Sequence, residues 1–118
     1  MVAVLFEVYP KSEAAEGEYL DTAAQLRPLL EKIDGFISVE RFRSVNPAGK
    51  ILSLSFWRDE PAVTRWREVY EHQKAQARGR AQLFANYRIR VLDFAVVRDY
   101  GMAERAQAPQ QWTDIPVL

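Results

Sequence analysis

A strand pattern passes directly into a helix pattern in the stretch ILSLSFWRDEP, residues 51–61. Leucine and phenylalanine at positions 52, 54 and 56 alternate with serine at 53 and 55, a period of two that is typical of a β-strand. Asp59 and Pro61 then supply a capping carboxylate and an early proline, which predict the start of a helix. This stretch therefore predicts a β-strand followed at once by an α-helix.

The first 50 residues predict two more strands and one helix. Apolar and β-branched residues predict strands at 2–9 and 36–45, with a turn at 46–49 that makes the second and third strands a hairpin. Ser12 is a predicted helix N-cap. An apolar stripe predicts the helix itself, which should close at residues 34–35; its members are Tyr19, Ala23, Leu26, Leu30 and Ile33. Pro28 within this stripe predicts a kink or break near Gln25.

The second half of the chain predicts a second helix and a fourth strand. The helix should end near Gly79, and residues 81–86 form a further short turn of helix. Residues 87–99 read as a long strand that is apolar on both faces apart from Asp93, which would need an arginine partner if it were buried. Residues 102–118 show no core of their own and are interpreted as an extension that is either loose or docked on a neighbour, with Trp112 suggesting the second.

The predicted order β-α-β-β-α-β is that of an α+β, ferredoxin-like domain with an antiparallel sheet over residues 1–101. Helices would cover one face of the sheet and leave an apolar second face exposed. A symmetric homodimer that packs sheet against sheet would cover it. Hiding roughly 500 Å² of apolar surface per subunit is worth about 12 kcal/mol before the cost of association.

Composition excludes several classes of function. The 118 residues contain 16 basic and 16 acidic side chains, a balance that disfavours nucleic-acid binding. The chain has no cysteine, no glycine-rich phosphate loop and no cluster of metal ligands, so no metal site is predicted. No apolar run is long enough to span a membrane and the first residues do not resemble a signal peptide, so we expect a cytoplasmic protein.

The chain resembles the antibiotic biosynthesis monooxygenase superfamily. The likeness covers about residues 1–101 and is carried by the run at 55–60, by Trp66 and the Glu-His pair at 71–72, and by the segments at 76–80, 87–91 and 98–101. The resemblance implies a dimeric α/β barrel with a cavity between sheet and helices in each subunit. It also implies cofactor-independent oxygenation of a polycyclic phenol, or alternatively haem degradation with a histidine of the second helix as iron ligand.

His72, the only histidine, is the first candidate for catalysis. Its imidazole would titrate near neutral pH and could take a proton from a substrate, or it could bind haem iron. The structural alternative is a histidine at the border of the helix, bonded to a carboxylate or to water. Haem degraders of the superfamily also use an asparagine in the first strand, where this chain has Glu7.

Five aromatic residues could line a flat cavity for an aromatic substrate, although large aromatics at such spacing are more often plain core. They are Trp57, Trp66, Tyr70, Phe84 and Tyr87. Arg80, Arg88 and Arg90 could stabilise a substrate anion or could be paired ions. Glu7 could act as a base if it faced the cavity, with a salt bridge as the alternative. The sequence thus predicts a small aromatic ligand and no cofactor, with haem or a non-catalytic binding dimer as alternatives.

Overall fold

A computed structural model describes residues 1–74 and 80–105, with side chains for residues 1–70 and 82–104. Its elements are β1 (Val2–Pro10), α1 (Glu13–Leu30), β2 (Phe36–Arg43), β3 (Ile51–Trp57), α2 (Glu60–Lys74), α3 (Arg80–Leu83), β4 (Phe84–Asp93) and α4 (Met102–Arg105). The four strands form one antiparallel sheet in the order β2-β3-β1-β4. This arrangement confirms the predicted ferredoxin-like α+β fold.

The core lies between the helices and one face of the sheet. Val8 and Ile51 join the N-terminal half of α1 and residues 83–84 in one buried cluster. Val2 and Trp57 join the end of α1 and the start of α2 in a second cluster. Because side chains alternate along a strand, residues 2, 4, 6 and 8 of β1 point toward the helices and residues 3, 5, 7 and 9 point away.

Several predicted boundaries were wrong. Helix α1 runs without interruption through Pro28 to Leu30, where the predicted break near Gln25 does not occur. Pro28 lies in the last turn of this helix, so it removes one helical hydrogen bond, that to the Ala24 carbonyl, and only two helical residues follow it. The helix also ends before residues 34–35, strand β2 ends at Arg43, and strand β4 covers residues 84–93 rather than 87–99.

Strand β4 is an edge strand and is exposed on both faces beyond Phe84, contrary to the prediction from its apolar sequence. Asp93 is accordingly exposed, and it avoids the desolvation cost that would have required a buried arginine partner. The predicted helix end at Gly79 and the extension beyond residue 105 lie outside the described residues. None of the described helices is both long and apolar enough to cross a membrane.

Both caps predicted from the sequence are present. The Ser12 hydroxyl accepts a hydrogen bond from the Ala15 N–H at 3.1 Å, and the Asp59 carboxylate accepts one from the Ala62 N–H at 3.0 Å. Gly35 has a φ of +94°, as expected for the turn before β2. A Cβ at Gly35 would lie 2.7 Å from the Ala62 Cβ, so this turn and the start of α2 are in close contact.

We predict that Gly35→Ala lowers the free energy of unfolding by about 2–4 kcal/mol, because it adds a steric clash to the strain of a positive φ. Gly49→Ala is the matched control: its φ is +78° but no atom lies within 4 Å of the added Cβ, so about 1 kcal/mol is expected. Urea unfolding of both variants measures the difference. Equal losses would contradict a close contact between Gly35 and Ala62.

Candidate functional site

The helix-facing side of β4 forms an open apolar shelf. Tyr87, Ile89 and Val91 pair with Val8, Phe6 and Val4 of β1 and therefore point to the same side as the core. Their residue exposures are 47%, 47% and 53%, although Val8 is fully buried. Three large apolar side chains in a row on the inner side of the sheet form an apolar surface that the helices leave exposed. These three residues are called the β4 shelf below.

One end of the β4 shelf rests on a cluster of aromatic rings. Phe6 lies edge-on to Tyr87, with ring centroids 5.8 Å apart, and it contacts Phe84 at the same distance. Phe84 in turn packs on Tyr19 at 5.4 Å and is only 7% exposed. Phe84 is therefore a core residue, in line with the alternative that these aromatic residues belong to the core. Tyr87 is the ring of this cluster that remains accessible.

Helix α2 carries the second aromatic pair. The ring centroids of Trp66 and Tyr70 lie 6.2 Å apart, and both residues are half-buried. Trp66 packs against the same core cluster as Val4, which lies next to Val91 of the shelf. The arrangement brings an indole and a phenol on α2 to the side of the sheet where the β4 shelf is open.

Trp57 is 2% exposed and does not line this space. Its indole N–H donates a 2.9 Å hydrogen bond to the Ser55 hydroxyl, and its ring meets Phe36 edge-on at 5.3 Å. The hydrogen bond satisfies the only polar atom of a buried indole, so Trp57 and Ser55 form a structural unit of the core. Trp57 is therefore a core residue, which is the alternative given above for the five aromatic residues.

His72 and Arg80 are placed by their backbones only. His72 lies in α2, two residues beyond Tyr70, and Arg80 begins α3, which leads directly into β4. Their side chains lie outside the described residues, so their assignment to the site stays a prediction.

Glu7 and Arg88 lie on the opposite face of the sheet from the β4 shelf. They are register partners, and both alternate with helix-facing residues of their strands. The Glu7 carboxylate accepts contacts from Lys50 Nζ at 3.2 Å and Arg90 Nη1 at 3.3 Å. The hypothesis that Glu7 faces a cavity under the helices is therefore wrong. The alternative, that Glu7 forms a salt bridge, is correct.

The start of α2 is held by a group of exposed ions. The Arg58 guanidinium donates to both carboxylate oxygens of Asp34, at 3.1 and 3.2 Å, and its Nε donates to Asp59 at 3.0 Å. Hydrogen bonds from Arg58 are the main cause that lowers the pKa of Asp34, and of Asp59, below the usual value of 3.8. The same bonds raise the pKa of Arg58. Arg65 donates to the Asp34 carbonyl at 2.9 Å, which ties α2 to this turn.

Two depressions occur at the sheet edges, away from the α2 aromatic pair. One of about 490 Å³ adjoins β2 and is lined by Arg27, Ser38, Val39, Glu40, Arg41, Leu54 and Phe56. The other, of about 250 Å³, is lined by Glu7, Tyr9, Lys50, Asn86, Tyr87 and Arg88. Among the side chains of residues 1–70 and 82–104, no group of three from His, Cys, Asp or Glu could hold a metal ion.

Ile89, Val91, Val4 and Phe6 were missed as candidate site residues. For Ile89 and Val91 the sequence did contain a signal: together with Tyr87 they alternate with two arginines, so the three apolar residues must share one face of the strand. The pattern could not tell which face met the helices, since β4 is apolar on both sides at its end.

The sequence profile of the antibiotic biosynthesis monooxygenase family matches residues 1–78, two-thirds of the chain. The chain belongs to the antibiotic biosynthesis monooxygenase family. This result confirms the resemblance predicted from residues 55–60 and from the second helix.

A curated relative supports the membership, and two solved structures share the fold. Jasmonate monooxygenase ABM of Pyricularia oryzae is 46% identical over 91 residues, which are 77% of this chain but only 42% of the relative. Among solved structures of similar fold, the cofactor-independent oxygenase SnoaB from Streptomyces nogalater is 14% identical, with a TM-score of 0.61 over 81% of this chain and 94% of SnoaB. A mutant of MhuD with two manganese protoporphyrin IX molecules per active site is 18% identical, with a TM-score of 0.64 over 86% of this chain and 99% of MhuD.

The ions at the start of α2 predict a specific pH dependence. Carboxylates with lowered folded-state pKa values contribute stability above pH 3.8, and this stability is lost as the pH falls through those lowered values. Arg58→Gln removes the cause, so the difference in unfolding free energy between the wild type and this variant should shrink on acidification from about pH 5 to about pH 2. Denaturant unfolding across this pH range measures it.

Arg67→Gln is the control, because Arg67 is exposed on α2 and should give an offset that does not depend on pH in the same range. A pH-independent difference for Arg58→Gln would show that Asp34 and Asp59 do not owe their acidity to Arg58.

Proposed function

We propose that the protein is a homodimeric monooxygenase that oxidises a small, largely apolar phenol or quinol without a cofactor. The β4 shelf is the observation that carries this proposal. It offers an apolar surface on the same side of the sheet as the α2 aromatic pair, and an aromatic substrate would find complementary contacts for its face and edge there. Membership of the monooxygenase family supports the class of reaction.

Such a reaction needs a substrate that serves as its own electron source. A phenol loses a proton, and the resulting anion, with carbanion character on its ring, transfers an electron to dioxygen. Combination of the two radicals and loss of water leave a quinone. One oxygen atom ends in the quinone and the other in water, so all four electrons come from the substrate. The protein must therefore accept a proton and stabilise an anion.

His72 is our candidate for the proton acceptor, because it follows Trp66 and Tyr70 on α2 and because Glu7 points to the other face of the sheet. Arg80 is our candidate for the anion-stabilising group, since it lies in the short helix that enters β4. Arg88 shares the face of Glu7, and that position favours an ionic role there over contact with a substrate on the shelf.

The curated relative widens the set of substrates to be tested. Its name states that it acts on jasmonate, and it is similar to this chain over 91 residues. The β4 shelf spans residues 87–91, and four steps of about 3.3 Å give it a length of about 13 Å. That length suits either a tricyclic phenol or a smaller ring with an apolar chain. A hydroxyanthrone is therefore the compound to test as a substrate, and jasmonate, which has no phenol to supply the electrons, is the compound to test for binding.

We predict that Ile89→Arg lowers kcat/KM at least about tenfold with the substrate that the wild type oxidises, because a charge in the middle of the shelf opposes apolar binding. Val45→Arg is the control: Val45 is 96% exposed in the turn between β2 and β3. Oxygen consumption, corrected for autoxidation, measures the rates, and circular dichroism checks that both variants fold.

An Ile89→Arg variant that is folded and as active as the control would overturn the shelf as the substrate site. If the wild type binds both compounds and oxygen consumption remains at background, the protein is instead a non-catalytic binding dimer.

Haem binding is the second candidate function. The MhuD structure shows that this fold can hold two protoporphyrins in one site, and a flat macrocycle would fit an open apolar surface. The axial ligand in this chain would be the imidazole of His72.

Titration of the purified protein with haemin tests this alternative. If haem binds through His72, the wild type shifts the Soret band and His72→Ala loses most of that shift, while Tyr70→Phe retains it. A Soret band that stays at the position of free haemin in the wild type would eliminate haem as a cofactor.

A further inference from the structure

The smaller depression, at the β4 edge of the sheet, is lined mainly by polar and charged residues. It has a volume of about 250 Å³, and its lining residues are Glu7, Tyr9, Lys50, Asn86, Tyr87 and Arg88. Tyr9 and Asn86 are paired at the end of β1, just before the register shifts, and Lys50 directly precedes β3. The depression therefore lies at one end of the sheet, where β1 ends and where β3 and β4 begin.

The charges around this depression do not balance. Glu7 is the carboxylate of the lining, and it contacts both Lys50 Nζ at 3.2 Å and Arg90 Nη1 at 3.3 Å. Arg88, the register partner of Glu7 on β4, is exposed and has no ion-pair partner among the described residues. Three cations therefore surround one carboxylate, which leaves an excess of two positive charges. Clustered charge of one sign in a depression attracts ions of the opposite sign, here an anion.

Lys50 is already held in place without a ligand. Its side chain is only 24% exposed, and its ammonium group is fixed by the Glu7 carboxylate. Arg88 lies on the other side of Glu7, and two strand spacings of about 4.8 Å separate its backbone from that of Lys50. The long side chains of both residues can cover this span. A cation that is ordered in advance loses little conformational entropy when it binds an anion.

The other polar groups of the depression can all donate hydrogen bonds. The side-chain oxygen of Asn86 accepts a hydrogen bond from the Tyr87 N–H at 2.9 Å, so the NH₂ group is the end of this amide that remains for a ligand. Tyr9 contributes a hydroxyl group and an aromatic ring, and it points to the same face of the sheet as Glu7. The lining thus suits a ligand that accepts hydrogen bonds and carries a negative charge.

We propose that this depression binds a small organic carboxylate, with the carboxylate between Arg88 and Lys50 and an apolar body against the ring of Tyr9. The planar guanidinium of Arg88 matches the two oxygens of a carboxylate. The volume of about 250 Å³ lies below the range of most ligand pockets, which begins at about 300 Å³, so the body should be about one ring in size. This site is separate from the β4 shelf and does not depend on the proposed function.

Association of two sheets does not require this depression to be covered. The large apolar residues of the face without helices include Leu5, Leu54 and Phe56, which lie at the middle of the sheet or toward its other end. The depression lies at the strand ends, beyond Glu7. A second copy that covers these apolar residues can therefore leave the depression open to solvent.

Titration with benzoate at constant ionic strength, followed by the backbone amide signals in NMR, tests the proposal. We expect benzoate to shift the signals of Lys50, Asn86 and Arg88. Benzamide, which has the same shape and no charge, should bind at least about tenfold more weakly. Inorganic phosphate has the charge but no apolar body, so it should also bind more weakly than benzoate.

Substitution of Arg88 tests the role of its charge. Arg88→Gln should weaken benzoate binding at least about tenfold, and Arg88→Lys should retain part of the affinity because it keeps the charge without the planar fork. Arg67→Gln, at an exposed position of α2, is the matched control and should bind benzoate as the wild type does. Circular dichroism checks that each variant folds.

Several results would overturn the proposal. If benzoate shifts none of the signals at the strand ends, the depression does not bind a carboxylate, and shifts confined to Ile89 and Val91 would place benzoate on the β4 shelf instead. Equal affinities for benzoate and benzamide, or for Arg88→Gln and Arg67→Gln, would exclude the ionic contact. Tighter binding of phosphate would assign the depression to an inorganic anion. Because the measurement is of binding, a protein that oxidises no substrate can still pass this test.

Discussion

The position of β1 between β3 and β4 is the constraint on which the rest of the structure depends. Its backbone pairs with both neighbours along nearly its whole length, so the alternation of its side chains fixes the alternation of the two neighbouring strands. A shift of one residue would turn Glu7 toward the core and Val8 away from it. The burial of Val2 and Val8 under the helices therefore determines which residues of β4 can meet a ligand.

This constraint divides the chemistry of the molecule between two faces. The helix-facing side holds the aromatic rings and the apolar β4 shelf, and the other side holds Glu7 with its two cations. Arg88 and Arg90 alternate with Ile89 and Val91, so one edge strand supplies apolar contacts to one face and positive charge to the other. In our account substrate binding and subunit association use opposite faces of the same strand.

The sequence predicted the order of elements well, because the local signals were strong. The alternation in residues 51–57 defined β3 to the residue, and Ser12 and Asp59 marked the helix starts by the caps that they form. Prediction from the sequence failed for residues whose environment depends on distant parts of the chain. Pro28 was tolerated near a helix end, and β4 proved to be an exposed edge strand because only β1 pairs with it.

The residues of the candidate site were also predicted only in part, because their types are visible in the sequence but their packing is not. Aromatic residues could be recognised from sequence, but only packing distinguished the core residues Trp57 and Phe84 from the accessible Tyr87. The orientation of Glu7 required the register of β1 against the core, which a strand with apolar residues on both faces does not reveal. Ile89 and Val91 were overlooked because an apolar residue in a strand is ordinarily assigned to packing.

Methyl-labelled NMR tests the division between the two faces most directly. Titration with a hydroxyanthrone should shift the methyl signals of Val4, Ile89 and Val91. Dilution through the dimer dissociation range should instead shift those of Leu5, Leu52 and Leu54. Ligand-dependent shifts confined to Leu5, Leu52 and Leu54, with Ile89 and Val91 unchanged, would contradict the account.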